Sequence, residues 1–186
     1  MLETVREDLR RKVALLGLPP TLASYLRVCG SEGTVTQLLY RATHFCHARG
    51  LGVPAFLLYR LNALVGQAVI GRGADLGPGL VIFHSTGIVI NTSVKAGKNL
   101  VLQHGVTLGE VRGRSPVLGD NVLVGAGAAV IGPVRVGDDV QIGANAVVTG
   151  DLPDGATAVG VPARVVRIYG RRVAGAPATR EEEAPR

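Results

Sequence analysis

Aliphatic residues recur at every sixth position in the second half of the chain. From Ile70 onward, thirteen of fourteen such positions are aliphatic, and the exception is Arg112. The fourteen positions are Ile70, Leu76, Ile82, Ile88, Val94, Leu100, Val106, Arg112, Leu118, Val124, Val130, Val136, Ile142 and Val148. An α-helix has a period near 3.6 and a half-buried strand a period of about 2, so this spacing predicts neither of them.

A three-sided coil has the required period. Each side is one short strand that points one aliphatic residue inward, while Gly, Asn and Asp supply the turn geometry at the corners. At three positions per coil, the fourteen positions make between four and five coils, stacked about 4.8 Å apart. The chain is therefore predicted to be mainly β, with a left-handed parallel β-helix of hexapeptide repeats over residues 69–168.

The interruption at Arg112 lies in a short polar segment, residues 110–115 (EVRGRS). This segment is predicted to be a loop that leaves the coil. Loops that leave a regular solenoid commonly lie on its binding face. The loop therefore marks one candidate side of a functional site.

Residues 1–68 lack the six-residue period and have a helical pattern instead. Helices are predicted over residues 2–16, 21–28, 34–49 and 53–65, separated by Pro19 and Pro20 and by the Gly50 to Gly52 stretch. They form an α-helical N-terminal segment that can cover one end of the coil. Residues 169–186 are charged and rich in Pro and Ala, and they are predicted to be a flexible tail.

The charge of the chain narrows the choice of partners only slightly. The formal net charge of +6 favours anionic partners, but Lys and Arg are spread along the chain and only 4% of residues are aromatic. No nucleic acid is expected as a partner, since little is available to stack on bases. A polyphosphorylated cofactor would match the same charge, and a charge that serves only solubility is the alternative.

The cysteines and the apolar stretches predict a cytoplasmic protein. Cys29 and Cys46 are too few for a disulfide framework and are expected to be reduced. The start of the chain, MLETVREDLRRK, lacks the apolar run of a signal peptide. The longest apolar stretch, residues 53–65, contains Arg60 and is too short to span a bilayer, so no stable membrane insertion is expected.

Several segments of the coil together resemble the hexapeptide acyltransferases, and within them the serine acetyltransferase group. The segments are residues 83–91 (FHSTGIVIN), 102–109 (LQHGVTLG), 124–148 and 160–164 (GVPAR). Residues 40–50 (YRATHFCHARG) are similar to the helical segment of polysaccharide-cluster, colanic-acid-type O-acetyltransferases, which places the chain closest to that branch. The resemblance implies a homotrimer that transfers an acetyl group from acetyl-CoA to a hydroxyl, in a groove between neighbouring subunits.

The resemblance assigns the catalytic role to His84. An alcohol attacks a thioester poorly until a base removes its proton, and an imidazole that titrates near neutrality contributes roughly 10²–10⁴-fold in rate. The oxyanion needs a preorganised donor, worth about 10²–10³-fold, which the turn at Gly109 can supply. A surface histidine without a role is the alternative for His84, and the surrounding motif favours catalysis.

The remaining site residues follow from the same resemblance. With eighteen residues per coil, His104 lies directly beneath Thr86 and diagonal to His84, where it either contacts the substrates or only bonds its own turn. Ala126 and Ala144 stack one coil apart and would line the pantetheine arm. Gly109 is also expected to bind the cofactor, and two arginines complete the prediction. These are Arg164, placed near the phosphate end of CoA, and Arg114, placed near the acceptor.

The chain departs from serine acetyltransferases on the acceptor side. The position fifteen residues before His84 holds Val69 instead of an orienting aspartate, and the residue directly before His84 is Phe83 instead of an acid. An Arg-His-Pro motif of the family reads Arg-Ser-Pro from Arg114, and a glycine of the family is Glu110. Because phenylalanine cannot pair with an ammonium group, a sugar or polysaccharide precursor is the predicted acceptor, with L-serine as the alternative.

Two other classes compete with an acyltransferase. A zinc enzyme like the γ-type carbonic anhydrases needs three histidines, but the coil holds only His84 and His104, so no metal is expected. His44, Cys46 and His47 lie on a predicted helix without a fourth ligand. A solenoid without any catalytic role is the second competitor, and it should not bind acetyl-CoA.

Overall fold

The computed structural model describes residues 1–174, with four helices followed by a parallel β-solenoid. The helices are α1 (Leu2–Leu15), α2 (Leu22–Cys29), α3 (Glu32–Ala48) and α4 (Gly52–Val65). Each begins and ends within two residues of its predicted bounds. Within residues 1–174, no helix combines the length and the apolar character that crossing a bilayer requires.

Short strands form the three sides of the solenoid. The strands are β1 (Val69–Ile70), β2 (Asp75–Leu76), β3 (Val81–Ile82), β4 (Val89–Ile90), β5 (Lys95–Ala96), β6 (Val101–Leu102), β7 (Thr107–Gly109), β8 (Val117–Leu118), β9 (Leu123–Val124), β10 (Ala129–Ile131), β11 (Arg135–Val136), β12 (Gln141–Ile142), β13 (Val147–Val148), β14 (Ala156–Val159), β15 (Arg164–Ile168) and β16 (Arg171–Arg172). One side has the strand order β1-β4-β7-β10-β13 and the second has β2-β5-β8-β11. The third side runs β3-β6-β9-β12-β14 and continues into β15 and β16.

The aliphatic core of the solenoid explains the six-residue pattern. Most strands bury one aliphatic side chain, as Ile82 and Leu108 do, and a second buried residue lies two positions earlier, as Leu80 and Val106 do. These side chains form one continuous buried cluster through all the coils. The predicted mainly β fold, a parallel solenoid of hexapeptide repeats with an N-terminal helical segment, is confirmed, while its left-handed sense stays a prediction.

Two insertions interrupt the repeat, although the sequence period conceals them. Val81 pairs with Val101, 20 positions later, whereas Val89 pairs with Thr107, 18 positions later, so two extra residues lie between β3 and β4. Thr107 pairs with Ala129, 22 positions later, so four extra residues lie between β7 and β8. The two insertions together restore the six-residue frame. Arg112 is therefore part of an insertion and not a failed core position.

The predicted loop at residues 110–115 is a tight hairpin. Val111 and Arg114 exchange backbone hydrogen bonds of 3.0 and 3.1 Å. The two residues between them, Arg112 and Gly113, have φ of +51° and +76°. Positive φ at both central residues is the geometry of a type I′ turn, which suits a two-residue hairpin. The insertion therefore projects from the solenoid as a defined structure.

The end of the solenoid is more ordered than the sequence predicts. β16 pairs antiparallel with β15, and it lies within residues 169–186, which were expected to be a flexible tail. Antiparallel pairing gives the β15 edge a partner for its backbone groups. The rest of that predicted tail, residues 175–186, lies outside the described residues.

A buried ion pair attaches the helical segment to the first coil. Arg41 of α3 donates from Nε and Nη2 to the two carboxylate oxygens of Asp8 of α1, at 2.8 and 3.0 Å. Arg41 also donates to the carbonyls of Leu76 and Gly77, and Asp8 accepts the backbone N–H of Leu80. Burial raises the pKa of the Asp8 carboxyl, and the Arg41 guanidinium opposes that shift. The pair thus joins both helices to the backbone of the solenoid.

A buried lysine joins the same helices to β3. Lys12 is 2% exposed, and its Nζ donates to the Thr34 hydroxyl and to the Ile82 carbonyl, each at 2.8 Å. Burial lowers the pKa of Lys12 from 10.5 to about 8. Ile82 lies two residues before His84, so the Lys12 bond to its carbonyl fixes the helical segment close to the predicted catalytic residue.

This lysine should make stability depend on pH. Between pH about 8 and 10.5 the unfolded chain binds a proton at Lys12 that the folded chain does not, because the folded pKa is the lower one. The free energy of unfolding of the wild type, relative to Lys12→Met, should therefore rise across this interval by at most about 3 kcal/mol. Urea unfolding at a series of pH values measures the difference. The exposed Lys98→Met variant should show no such rise, and a flat Lys12→Met difference would contradict the prediction.

Candidate active site

The predicted catalytic and pantetheine-binding residues share one corner of the solenoid. This corner, here called the histidine corner, consists of residues 83–87, 103–105, 125–127 and 143–145. It joins the β3-β6-β9-β12 side to the β4-β7-β10-β13 side. The N–H of Gly105 donates to the carbonyl of Thr86, and the N–H of Asn145 donates to the carbonyl of Ala126. His104 therefore lies one coil below Thr86, and Ala144 one coil below Ala126, as the spacing predicts.

His84 lies in the longest turn of the histidine corner. The two extra residues between β3 and β4 lengthen this turn, and the His84 side chain is 66% exposed in the single chain. Its ring centroid is 6.2 Å from that of His104, in an edge-to-face arrangement. The structure thus brings the two solenoid histidines together, and it leaves the His84 imidazole accessible to substrates.

An acidic residue that the sequence analysis missed lies beside His84. The carboxylate oxygen Oε2 of Glu32 is 3.4 Å from Nδ1 of His84. Glu32 is the first residue of α3, whereas the helix was predicted to start two residues later. The two residues are 52 positions apart, so no local motif connects them. An acidic residue in the first turn of a helix was the only signal, and such residues are common.

The start of α3 is packed directly on the backbone that leads into His84. A Cβ atom placed on Gly33 would be 2.0 Å from the carbonyl oxygen of Ile82 and 3.0 Å from that of Phe83. No side chain larger than that of glycine fits this contact without a shift of the backbone. The Lys12 bonds to Thr34 and Ile82 hold the same junction. The backbone at the start of α3 is thus fixed next to the turn that carries His84.

A cavity of about 320 Å³ opens between α3, α4 and the histidine corner. Its lining residues are Glu32, Val35, Val65, Gly66, Gln67, Ser85 and Thr86. Ser85 is the residue directly after His84, and the lining combines a carboxylate with hydroxyl and amide groups. The cavity is therefore a mixed polar and apolar pocket beside the turn that carries His84, of a size that suits a small acceptor.

Ala126 and Ala144, the residues predicted to line the pantetheine arm, form an open column below His84. Ala126 is half-buried, Ala144 is exposed, and the Ala126 N–H donates to Oε1 of Gln103 at 3.2 Å. A Cβ atom on Gly125 would be 2.7 Å from the backbone nitrogen of Ala144, so the coils are in close contact there. Small side chains leave the backbone accessible to an extended ligand. The column is therefore open to an extended ligand.

The other predicted residues lie elsewhere in the single chain. Gly109 ends β7, and Arg114 lies on the hairpin that follows it, at the far end of that strand from His104. In that region the Ser93 hydroxyl donates to Glu110 at 3.2 Å. Arg164 begins β15 and is exposed. The structure therefore does not bring these residues to His84 within one subunit.

Within residues 1–174, no three His, Cys, Asp or Glu side chains come close enough together to hold a metal ion. His44 and His47 lie on α3, outside the histidine corner. Cys29 and Cys46 are both free and half-buried.

The fold and the histidine corner place the chain among the hexapeptide-repeat transferases. The family model described as Bacterial transferase hexapeptide (six repeats) matches residues 115–150. A serine acetyltransferase of Helicobacter pylori (strain J99 / ATCC 700824) is 46% identical over 138 residues, which cover 72% of this chain and 81% of that protein. The chain belongs to the serine acetyltransferase family.

Two further comparisons agree with this membership. Probable serine acetyltransferase 4 of Oryza sativa subsp. japonica is 44% identical over 158 residues, which cover 83% of this chain. The chain spans only 49% of the length of that rice relative. A solved serine acetyltransferase in complex with CoA has a TM-score of 0.80 and 29% identity, and the match covers 88% of this chain and 68% of that one.

The expected closeness to the polysaccharide-cluster branch is not supported, since these relatives carry the serine acetyltransferase name. The segment that suggested the branch, residues 40–50, has a structural task instead. Tyr40 donates its hydroxyl to the Ala74 carbonyl, and Arg41 holds Asp8. Because these residues attach α3 to the solenoid, they carry no information about the acceptor.

Proposed function

We propose that this protein is a serine O-acetyltransferase that moves the acetyl group of acetyl-CoA to the hydroxyl of L-serine. The observation that carries the proposal is the exposed His84 imidazole beside a polar cavity, in a chain that is 46% identical to a serine acetyltransferase. L-Serine is small enough for the cavity, and its polar groups can bond to the Glu32, Gln67, Ser85 and Thr86 side chains in the lining. The free thiols of Cys29 and Cys46 agree with a reducing, cytoplasmic location.

In the proposed reaction, His84 acts as the general base. Its imidazole accepts the hydroxyl proton of L-serine while the serine oxygen forms a bond to the acetyl carbonyl carbon. The carbon–sulfur bond then breaks, and the imidazolium returns the proton to the departing thiolate. The products are O-acetyl-L-serine and free CoA, so the reaction needs no oxidant or reductant.

The histidine corner is proposed to bind acetyl-CoA. The pantetheine arm would run along Ala126 and Ala144, which places the thioester near His84 and His104. Arg164 is proposed to bind phosphate of the CoA, since guanidinium groups pair well with phosphate oxygens. A solved relative is bound to CoA, which supports this assignment.

A homotrimer is proposed to complete the site. Gly109 and Arg114 lie at a different corner from His84, so they can reach the reacting groups only from a neighbouring subunit. There, the Gly109 backbone would stabilise the oxyanion and Arg114 would bind the acceptor. The solenoid side that contains Gly109 also exposes the aliphatic residues Val69 and Val89, which are available to an interface between subunits.

A sugar hydroxyl is the second candidate acceptor. Val69 and Phe83 are apolar where serine acetyltransferases have acids, which favours an acceptor without an ammonium group. Both of these residues belong to the solenoid. Since Glu32 brings a carboxylate to the pocket from α3, the site is not without negative charge.

The two acceptors can be compared directly. Purified protein with acetyl-CoA should release CoA rapidly with L-serine and slowly with nucleotide sugars, followed as free thiol in a colorimetric assay. We expect the ratio of kcat/KM values to exceed about 10²-fold, because a site built to bond polar groups rejects ligands that leave them unpaired. D-Serine and L-alanine serve as controls, since one has the wrong configuration and the other lacks the hydroxyl. A ratio in favour of the sugars would replace L-serine as the acceptor.

A further inference from the structure

We propose that Glu32 is the positioning residue of His84 and replaces the orienting carboxylate that the solenoid lacks at Val69. This inference rests on the proposed function, since it assigns a role to Glu32 in the same reaction. The carboxylate comes from the helical segment, so α3 becomes part of the active site.

A histidine base needs a defined tautomer. The nitrogen that removes the acceptor proton must carry a lone pair, and the hydrogen bond of the other nitrogen decides which tautomer is present. When a carboxylate accepts the Nδ1–H bond, Nε2 is left free to act as the base, and the carboxylate also stabilises the imidazolium that forms. Val69 cannot accept a hydrogen bond with its side chain, so the acceptor of the Nδ1–H bond must be another group, either a backbone carbonyl or a carboxylate.

Glu32 is placed where this partner is needed. Its Oε2 faces Nδ1 of His84 at 3.4 Å, and His104, the other group close to the ring, lies with its centroid 6.2 Å away. A charged hydrogen bond is usually about 2.7–2.9 Å long, and catalytic hydrogen bonds are often longer before substrates bind. The 3.4 Å distance is therefore longer than a formed charged hydrogen bond and is compatible with a catalytic contact in the absence of substrate.

The contacts of the residues on either side of Glu32 support a positioning role, because they set where the carboxylate can lie relative to the ring. The next residue, Gly33, contacts the Ile82 and Phe83 carbonyls directly. The preceding residue, Ser31, donates to the Val28 carbonyl at 2.7 Å and bonds the Thr34 hydroxyl at 2.9 Å. The backbone on both sides of Glu32 is thus held against the turn that carries His84, while the Glu32 side chain is 77% exposed in the single chain.

Glu32 could instead bind the ammonium group of L-serine, and kinetics separate the two roles. For a positioning residue, Glu32→Ala should lower kcat on the order of 10²-fold, less than the ~10⁴-fold cost of losing a buried triad carboxylate. The KM for L-serine should stay within about threefold, as expected when only the reacting state loses an interaction. An ammonium-binding residue would raise KM strongly and leave kcat almost unchanged, which would overturn the proposal.

The isosteric variant tests the need for a carboxylate. The amide of Glu32→Gln can turn its N–H toward Nδ1 and so hold the wrong tautomer, and it lacks the charge, so its kcat should be as low as that of Glu32→Ala. A wild-type kcat in Glu32→Gln would show that His84 does not need the carboxylate, which would overturn the proposal. Glu3→Gln is the matched control, because Glu3 is an exposed first-turn glutamate of α1, far from His84 in the fold. It should keep wild-type kinetics.

A spectroscopic measurement tests the role of Glu32 without requiring turnover. The chain has four histidines, so the ¹⁵N signals of the His84 ring can be assigned by comparison with His84→Ala. In the neutral ring, wild type should show mainly the Nδ1–H tautomer, and Glu32→Ala should shift toward Nε2–H. Equal tautomer populations in the two proteins would overturn the role of Glu32. Failure of the wild type to acetylate L-serine would instead overturn the proposed function, and the spectra would still decide on Glu32.

Discussion

Replacing His84 by alanine should lower turnover by about 10²–10⁴-fold, the contribution of a positioned general acid–base group. Acetyl-CoA affinity should stay within about threefold, because the proposed binding column runs along Ala126 and Ala144 and does not need the imidazole. Release of CoA measures the first quantity, and isothermal titration with CoA measures the second. The two measurements separate loss of chemistry from loss of binding.

A second histidine variant controls this experiment. His47 is exposed near the end of α3, outside the histidine corner, and His47→Ala should keep wild-type turnover. If His84→Ala turned over at the wild-type rate, the general base would have to be another group. If His84→Ala lost CoA affinity in parallel with turnover, His84 would belong to the binding site instead.

Replacing Gly33 by alanine should strongly destabilise the protein. The new Cβ would meet the Ile82 carbonyl oxygen at 2.0 Å, and that oxygen belongs to backbone that cannot move freely. We expect a loss of about 3 kcal/mol in the free energy of unfolding, at the upper end of what overpacking costs. Turnover should fall as well, because the same shift moves Glu32 away from His84. Urea unfolding and steady-state kinetics measure the two effects.

Gly30 provides the matched control, since it lies three residues away at the end of α2. A Cβ on Gly30 would meet its nearest atoms at 3.8 and 3.9 Å, and its φ is −81°. Gly30→Ala should therefore be neutral or stabilise the protein by up to about 1 kcal/mol, through the lower entropy of the unfolded chain. Equal stability of the two variants would show that α3 is not packed on the solenoid as described.

The sequence period predicted the solenoid because burial in this fold is local. Each short strand needs only its own aliphatic residue to face inward, so Ile82, Val124 and Ile142 reveal the fold wherever they occur. The same period concealed both insertions, because two and four extra residues add up to one repeat. The strand register was needed to find them, since register depends on which strands pair. His84 was found through its motif, and the hairpin at 110–115 through its polarity.

The sugar acceptor was predicted from residues of the solenoid alone. Val69 and Phe83 are apolar, and from them a sugar acceptor followed. Glu32 lies 52 positions before His84, on a different kind of element, and nothing in its local sequence connects it with catalysis. The carboxylate was therefore missed, although the solenoid histidine was identified.

The sequence by itself determined the class of fold and the position of the helices and selected His84 as the proposed base, because periodicity and motifs are properties of neighbouring residues. The tertiary structure decided which carboxylate lies beside His84, the pocket next to that turn and the separation of Arg114 from that pocket. These depend on the packing of α3 against β3 through Gly33 and Lys12. Such contacts join residues far apart in the chain, and only the folded backbone sets their distances.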